Sequence, residues 1–228
     1  MKIATIYTGK SLQLISNVEN ELKLAVKGED LQIVMFSDPT IIDEIIVNLK
    51  VIPAVAQRLI KLYITAVESG AKIIYNICSS VGDVASSAKN IFDIMDVPLI
   101  RIDEEMVITA INSSRRIGVL GTLKTTLDPT KRLIIKHAEA RGVNIEIIEA
   151  LAERAFRKPQ QEMDKILIEK ARSISNRVDV ILLAQASMAM SEDKIADATG
   201  KTVFSSPRFG AIAVSKAITK LKNRRLTE

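Results

Sequence analysis

Apolar residues in this chain fall into short unbroken runs separated by longer stretches of mixed polarity. Strands are predicted at Lys2–Tyr7, Leu31–Phe36, Lys72–Ile77, Leu99–Ile102, Arg116–Gly121, Asn144–Ile148, Asp179–Leu183 and Thr202–Phe204. Most of these runs do not alternate, which predicts strands buried on both faces of a parallel α/β sheet. The intervening stretches read as helices with clear punctuation. Ser37-Asp38-Pro39 and Leu127-Asp128-Pro129 each suggest Asp at an N-cap and Pro at the first helical position. Gly70 and Gly142 stand where helices should stop. Pro53 opens a long helix to about Ser69, with Val55, Leu59, Leu62 and Ala66 spaced to face a core.

The chain also repeats itself. KIATIYTGKS (Lys2 to Ser11) aligns without a gap to RIGVLGTLKT (Arg116 to Thr125), an offset of 116 − 2 = 114. AKIIYNICSS (Ala71 to Ser80) aligns to VDVILLAQAS (Val178 to Ser187), an offset of 178 − 71 = 107. Each half closes on a short strand, in VPLIRID and in KTVFSSP. The expected fold is therefore α/β: two similar lobes, each with a four-stranded, mainly parallel sheet, related by a pseudo-twofold. Residues 1–113 would form the first lobe and 114–228 the second, with the C-terminal helix able to cross over. Ligands of open α/β sheets bind beyond the carboxyl ends of strands. That rule singles out Thr8, Cys78, Thr122 and Gln185, and makes a cleft between the lobes the expected site.

Composition enters mainly through what it excludes. A single cysteine in 228 residues cannot form an internal disulfide and points to a reducing cytoplasm. One Cys and one His cannot build the usual four-ligand zinc site, so no metal is expected. The start, MKIATIYTGK, lacks the character of a signal peptide, and no run approaches a membrane span. The net charge of +5 suits anionic small molecules, but the basic residues are scattered. Only KLKNRR (Lys220 to Arg225) clusters, and with no Trp a stacking platform for nucleic acid is not expected.

Tyr7-Thr8-Gly9-Lys10-Ser11 contains a Gly-Lys-Ser after a strand. A phosphate-binding loop would also need glycine five residues before Gly9, where Ala4 stands inside the strand. The internal repeat accounts for the segment better. The more telling stretch is YNICSSVGD, where Cys78 ends a strand and Ser79, Ser80 and Gly82 lead into a helix. A thiol at a helix start is favoured as thiolate, and neighbouring N–H groups and hydroxyls can hold a carboxylate.

Cys78-Ser79-Ser80 after the third strand and Thr122-Leu123-Lys124-Thr125 after the fifth, within a two-lobed repeat, resemble the aspartate/glutamate/hydantoin racemase superfamily. The resemblance covers nearly the whole chain. It implies a cofactor-independent enzyme in which two cysteines, one from each lobe, act as an acid–base pair on the α-carbon of a small carboxylic acid. Maleate isomerase and arylmalonate decarboxylase share the fold. Cys78 matches the first-lobe cysteine, and Ser79 and Ser80 the small polar residues after it. Thr122 and Thr125 match a Thr-x-x-Thr-like pattern, and Thr8 and Gly9 fall where relatives place polar residues. The second-lobe pattern, roughly Leu-Gly-Cys followed by two small residues, reads here as Leu183-Ala184-Gln185-Ala186-Ser187. Gln185 thus takes the place of the second cysteine, and the repeat agrees, since 78 + 107 = 185.

Glutamine has no useful pKa but can give or take a hydrogen bond. A single thiolate supports single-face proton exchange, decarboxylation followed by protonation, or addition to an activated double bond. The expected activity is racemase-like, on an amino acid or dicarboxylate, through Cys78 and with Gln185 as a polar partner. Substrate contacts are expected from Thr8, Gly9, Ser79, Ser80, Thr122, Thr125, Ala186 and Ser187. A one-thiol decarboxylase, a cis–trans isomerase or a non-catalytic carboxylate-binding protein are the alternatives. Family members are often oligomeric, which implies a homo-oligomer. His137 reads as a surface or packing residue. Asp83 and Glu192 read as helix-start carboxylates or as tuning groups, and Arg208 as a carboxylate partner or a solvated side chain.

Overall fold

Four strands buried at nearly every position occupy the middles of two sheets. These are β1 (Lys2–Tyr7), β3 (Ile73–Asn76), β5 (Arg116–Gly121) and β7 (Val180–Leu183). The computed structural model describes residues 1–227, with side chains through Arg224. Around the central strands lie β2 (Gln32–Ser37), β4 (Leu99–Arg101), β6 (Glu146–Leu151) and β8 (Thr202–Ser205). The sheet orders are β2-β1-β3-β4 and β6-β5-β7-β8, with every neighbour parallel. The duplication read from the sequence is thus a duplication of strand order.

The helices are α1 (Leu12–Ala25), α2 (Thr40–Asn48), α3 (Pro53–Glu68), α4 (Gly82–Ile94), α5 (Glu104–Ser113), α6 (Lys124–Glu139), α7 (Gln160–Ser175), α8 (Glu192–Thr199) and α9 (Ser206–Thr227). None of the described helices is long and apolar enough to cross a membrane. Two compact units divide the chain. One takes Met1–Ile102 together with the chain from Pro207 onward, and the other takes Asp103–Ser206. The internal repeat places the boundary at 113/114. In the structure α5 instead contacts α6 and β7 of the second unit.

The first unit buries Ile6 and Ile74 of its sheet with Leu59 and Tyr63 of α3 and Phe92 of α4, which meets Tyr63 edge-on at 5.7 Å between ring centroids. The second buries Leu120 and Ile181 with Leu167 and Ile174 of α7. Helix α9 returns to the first unit with Phe209, Ala211, Val214 and Ile218 buried, and Lys222 bonds Glu29 at 2.6 Å.

Four local readings need correction. The Asp128-Pro129 start is not a start, because α6 begins at Lys124 and Pro129 lies inside it. The N–H that proline lacks would have served the Thr125 carbonyl, and burial of Leu127, Pro129 and Thr130 outweighs that loss. The α2 start lies one residue later than read: Asp38 Oδ1 accepts from the Thr40 N–H at 3.1 Å, and Pro39 takes helical angles just before the helix. Edge strand β2 is half-exposed, with Met35 51% exposed, so its apolar run is not buried on both faces. Strand β6 begins at Glu146, two residues after the expected Asn144, pairing Glu146 with Arg116.

An ion pair ties the start of β5 to the approach to β7. Asp179 Oδ1 accepts from Arg116 Nη2 at 2.6 Å, and Oδ2 accepts from the backbone N–H groups of Arg116 and Arg115 at 2.9 and 3.2 Å. The Arg116 guanidinium first, then these N–H groups, hold the Asp179 carboxyl down to about 2, from an ordinary 3.8. A carboxyl depressed in the folded state stabilises above its unfolded pKa and loses that effect as pH falls through the folded one. Urea midpoints should therefore fall between about pH 4 and pH 2 in the wild type, and fall less in Asp179→Asn. The pair is exposed, so added salt should shrink the difference.

Candidate active site

In the first unit, the carboxyl ends of β1 and β3 carry the predicted groups. Thr8 is buried just past β1 and its carbonyl accepts from the Ile42 N–H at 3.2 Å; Gly9 follows, half-buried. Cys78 lies two residues past β3, in extended backbone and half-buried. Its carbonyl accepts from Asn76 Nδ2 at 2.9 Å, and Asn76 Oδ1 accepts from the Tyr63 hydroxyl at 2.9 Å. Both Asn76 and Tyr63 are buried. The chain thus fixes the cysteine backbone through a relay that reaches the core. A 3₁₀ turn, Ser79–Val81, follows and leads into α4. Ser79 is 5% exposed, and its Oγ has no hydrogen-bond partner. A buried unpaired hydroxyl is costly and therefore unusual. Ser80 is likewise buried.

Gly82 owes its presence to a residue the sequence reading passed over. Arg101, at the last position of β4, is 1% exposed. Its Nη1 donates to the Gly82 carbonyl at 2.9 Å and to Ser86 Oγ at 2.8 Å. A Cβ at position 82 would lie 2.2 Å from Arg101 Nη2, so only glycine fits over the guanidinium. The Tyr63 phenol is held well above its usual range by burial first and by the Cys78 charge second, with Arg101 opposing. Asn76, Tyr63 and Arg101 were not predicted. A signal existed, since Asn76 and Arg101 are polar interruptions of the apolar runs KIIYNI and PLIRI.

In the second unit, Thr122 and Gln185 come together. Gln185 Oε1 accepts from the Thr122 N–H at 2.7 Å, and Gln185 Nε2 donates to Thr122 Oγ1 at 2.7 Å. Each of its amide atoms is thus engaged in joining the end of β5 to the end of β7. Thr125, in the first turn of α6, keeps a buried hydroxyl without a hydrogen-bond partner. Ala186 is buried and Ser187 exposed, both in the 3₁₀ segment after β7. The Gln185 amide is expected to be structural: Gln185→Ala should cost about 1–2 kcal/mol in a urea titration, for two half-buried bonds lost.

The remaining candidates have local roles. Glu192 Oε2 accepts from the Ser205 N–H at 3.0 Å and from its hydroxyl. His137 Nε2 lies 3.1 Å from Glu104 Oε1, with Arg141 against its Nδ1. Arg208 is exposed and lies over the Phe209 ring. Asp83 is exposed in the first turn of α4. Among the described residues, no three His, Cys, Asp or Glu side chains cluster as a metal site.

The profile of the Asp/Glu/Hydantoin racemase family matches residues 9–214. The chain belongs to that family. No curated protein matches the sequence. Solved structures of family racemases share its fold. An allantoin racemase from Klebsiella pneumoniae is 14% identical with a TM-score of 0.66, over 97% of this chain and 89% of that one. A glutamate racemase from Thermus thermophilus, in complex with β-chloro-D-alanine, is 14% identical with a TM-score of 0.70, over 96% and 80%. An aspartate racemase from Picrophilus torridus is 16% identical with a TM-score of 0.66, over 97% and 95%. This racemase-family chain therefore shares the family fold along nearly its full length, at identities that speak to fold alone.

Proposed function

We propose that this racemase-family protein is a cofactor-independent enzyme that moves a proton at the α-carbon of a small carboxylic acid, using the Cys78 thiolate. The observation that carries the reading is the Cys78-Ser79 pair past β3. A half-buried thiol on a fixed backbone is followed at once by a buried hydroxyl with no partner of its own. That hydroxyl is suited to donate to a substrate carboxylate, with the hydroxyl of Ser80 and the residues Thr8 and Gly9 as further contacts. The thiolate takes the α-proton, the electron pair passes into the carboxylate as an enolate, and the thiol returns a proton to carbon.

The tie between Gln185 and Thr122 favours single-thiol chemistry. Glutamine supplies no proton at neutral pH, and both ends of its amide are occupied. Proton exchange with retention, or decarboxylation of an activated diacid with protonation by Cys78, fits this better than a two-cysteine inversion. The test is incubation in D₂O with a panel of amino, hydroxy, dicarboxylic and malonic acids, followed by NMR. Deuterium at the α-carbon, or a decarboxylated product, that disappears in Cys78→Ala supports the reading. Absence of exchange on every acid, with ligands still shifting protein resonances, would make this a carboxylate-binding protein instead.

A further inference from the structure

Among the positions where the two units differ, the last residues of their closing strands are a matched pair. In the first sheet Asn76 of β3 registers with Arg101 of β4, and in the second Leu183 of β7 registers with Ser205 of β8. Both closing strands use this last residue to grip the start of the helix that precedes them, but with opposite charge. Arg101 reaches the Gly82 carbonyl and Ser86 of α4, whereas Ser205 gives its N–H and hydroxyl to the Glu192 carboxylate of α8. A buried guanidinium is among the costliest groups to keep in a core. Here it lies beneath the loop that bears the only cysteine, and glycine is required at position 82 to admit it.

We propose that Arg101 is a positioning residue for Cys78: its fork pins the Cys78–Gly82 turn, and its buried positive charge favours the thiolate. The proposal rests on Cys78 being the working group. Asp103, buried two residues past Arg101 at the start of α5, is the nearest carboxylate to it along the chain, and α3 and α4 supply the other titratable groups around the loop. Helix α3 offers Tyr63, and a turn earlier Arg58, which pairs with Asp38 and Glu44 of the β2–α2 segment. Helix α4 offers Asp83, which is exposed and would oppose a thiolate weakly. Tyr63 is held neutral by burial. Arg101 is thus the buried cation of this group, acting on the same Tyr63–Asn76–Cys78 relay.

The test is the rate of Cys78 alkylation by iodoacetamide from pH 6 to 10, which requires no substrate, with Cys78→Ala as the blank. Arg101→Met, which keeps the bulk and removes the charge, should react about tenfold more slowly at pH 7 and match wild type near pH 10, an upward shift of about one unit in the midpoint. Arg101→Lys keeps the charge and loses the fork. It should hold the midpoint within about 0.3 units while α-proton exchange drops about tenfold. A folded Arg101→Met with the wild-type profile overturns the proposal. Where Arg101→Met does not fold, Arg101→Lys with exchange at the wild-type rate overturns it equally. Exchange that survives in Cys78→Ala would sink the catalytic reading alone, because the alkylation profiles still report on Arg101.

Discussion

Cys78→Ala is expected to lower α-proton exchange on the best substrate by about 10³-fold or more, without lowering the unfolding free energy in a urea titration by more than about 1 kcal/mol. The two halves of that expectation have separate causes. Removing a positioned proton-transfer group typically costs 10²- to 10⁴-fold, and here no second cysteine shares the work. The fold, by contrast, asks little of the sulfur. The side chain is half-buried at the margin of a cluster built from Ile6, Ile74, Leu59 and Phe92, and the backbone of Cys78 is held by Asn76 through its carbonyl, which alanine keeps. Cys78→Ser separates acidity from shape. A serine hydroxyl fills nearly the same space and keeps the relay, but its proton is far too tightly held to supply a base near neutrality. Serine should therefore be about as inactive as alanine. In the wild type the exchange rate should rise with pH as the thiol ionises and then level off, because the thiolate is the reactive form. A serine variant with more than a tenth of wild-type exchange would mean that Cys78 only shapes the site.

Where the candidate site residues lie in the fold was largely legible in the sequence, and the reasons are specific. Cys78 stands where an apolar run meets Ser-Ser-x-Gly, and the internal repeat alone mapped it onto Gln185. The two four-stranded halves followed from a duplicated pattern, and Pro53 and Gly70 marked the ends of α3 because each has a fixed conformational preference; Gly70 takes a φ of +88°. What could not be read depends on partners distant in the chain. Arg101 explains Gly82 only once β4 lies beside β3, and a glycine after two serines otherwise reads as ordinary loop chemistry. The same holds for Gln185: nothing in LAQAS indicates that both amide atoms would be taken up by Thr122, 63 residues away. Pro129 misled for the opposite reason, as local proline rules were overridden by burial along α6.

Gly210→Ala is expected to destabilise the protein by about 2 kcal/mol, although local propensity argues for the reverse. Position 210 lies inside α9, away from its ends, where replacing glycine with alanine in an exposed helix gains about 1 kcal/mol. This glycine is not exposed. A Cβ there would meet the Tyr75 hydroxyl at 2.1 Å and the Ile102 backbone carbonyl at 2.8 Å. Tyr75 is fully buried on β3 and cannot swing away, and a strand-end carbonyl cannot move without the sheet. The helix must therefore lift, loosening the burial of Phe209 and Val214 on the first unit. Overpacking of this kind costs about 1–3 kcal/mol, and a rigid backbone contact belongs at the upper end, so the clash outweighs the propensity gain. For a chain of this length the net loss should lower the thermal midpoint by about 4–8 °C. A midpoint that rises would show that α9 can shift at no cost, and that its return to the first unit is a loose contact. A fall of the expected size would make Gly210 the point where the last helix is keyed onto the strands that carry Cys78 and Arg101.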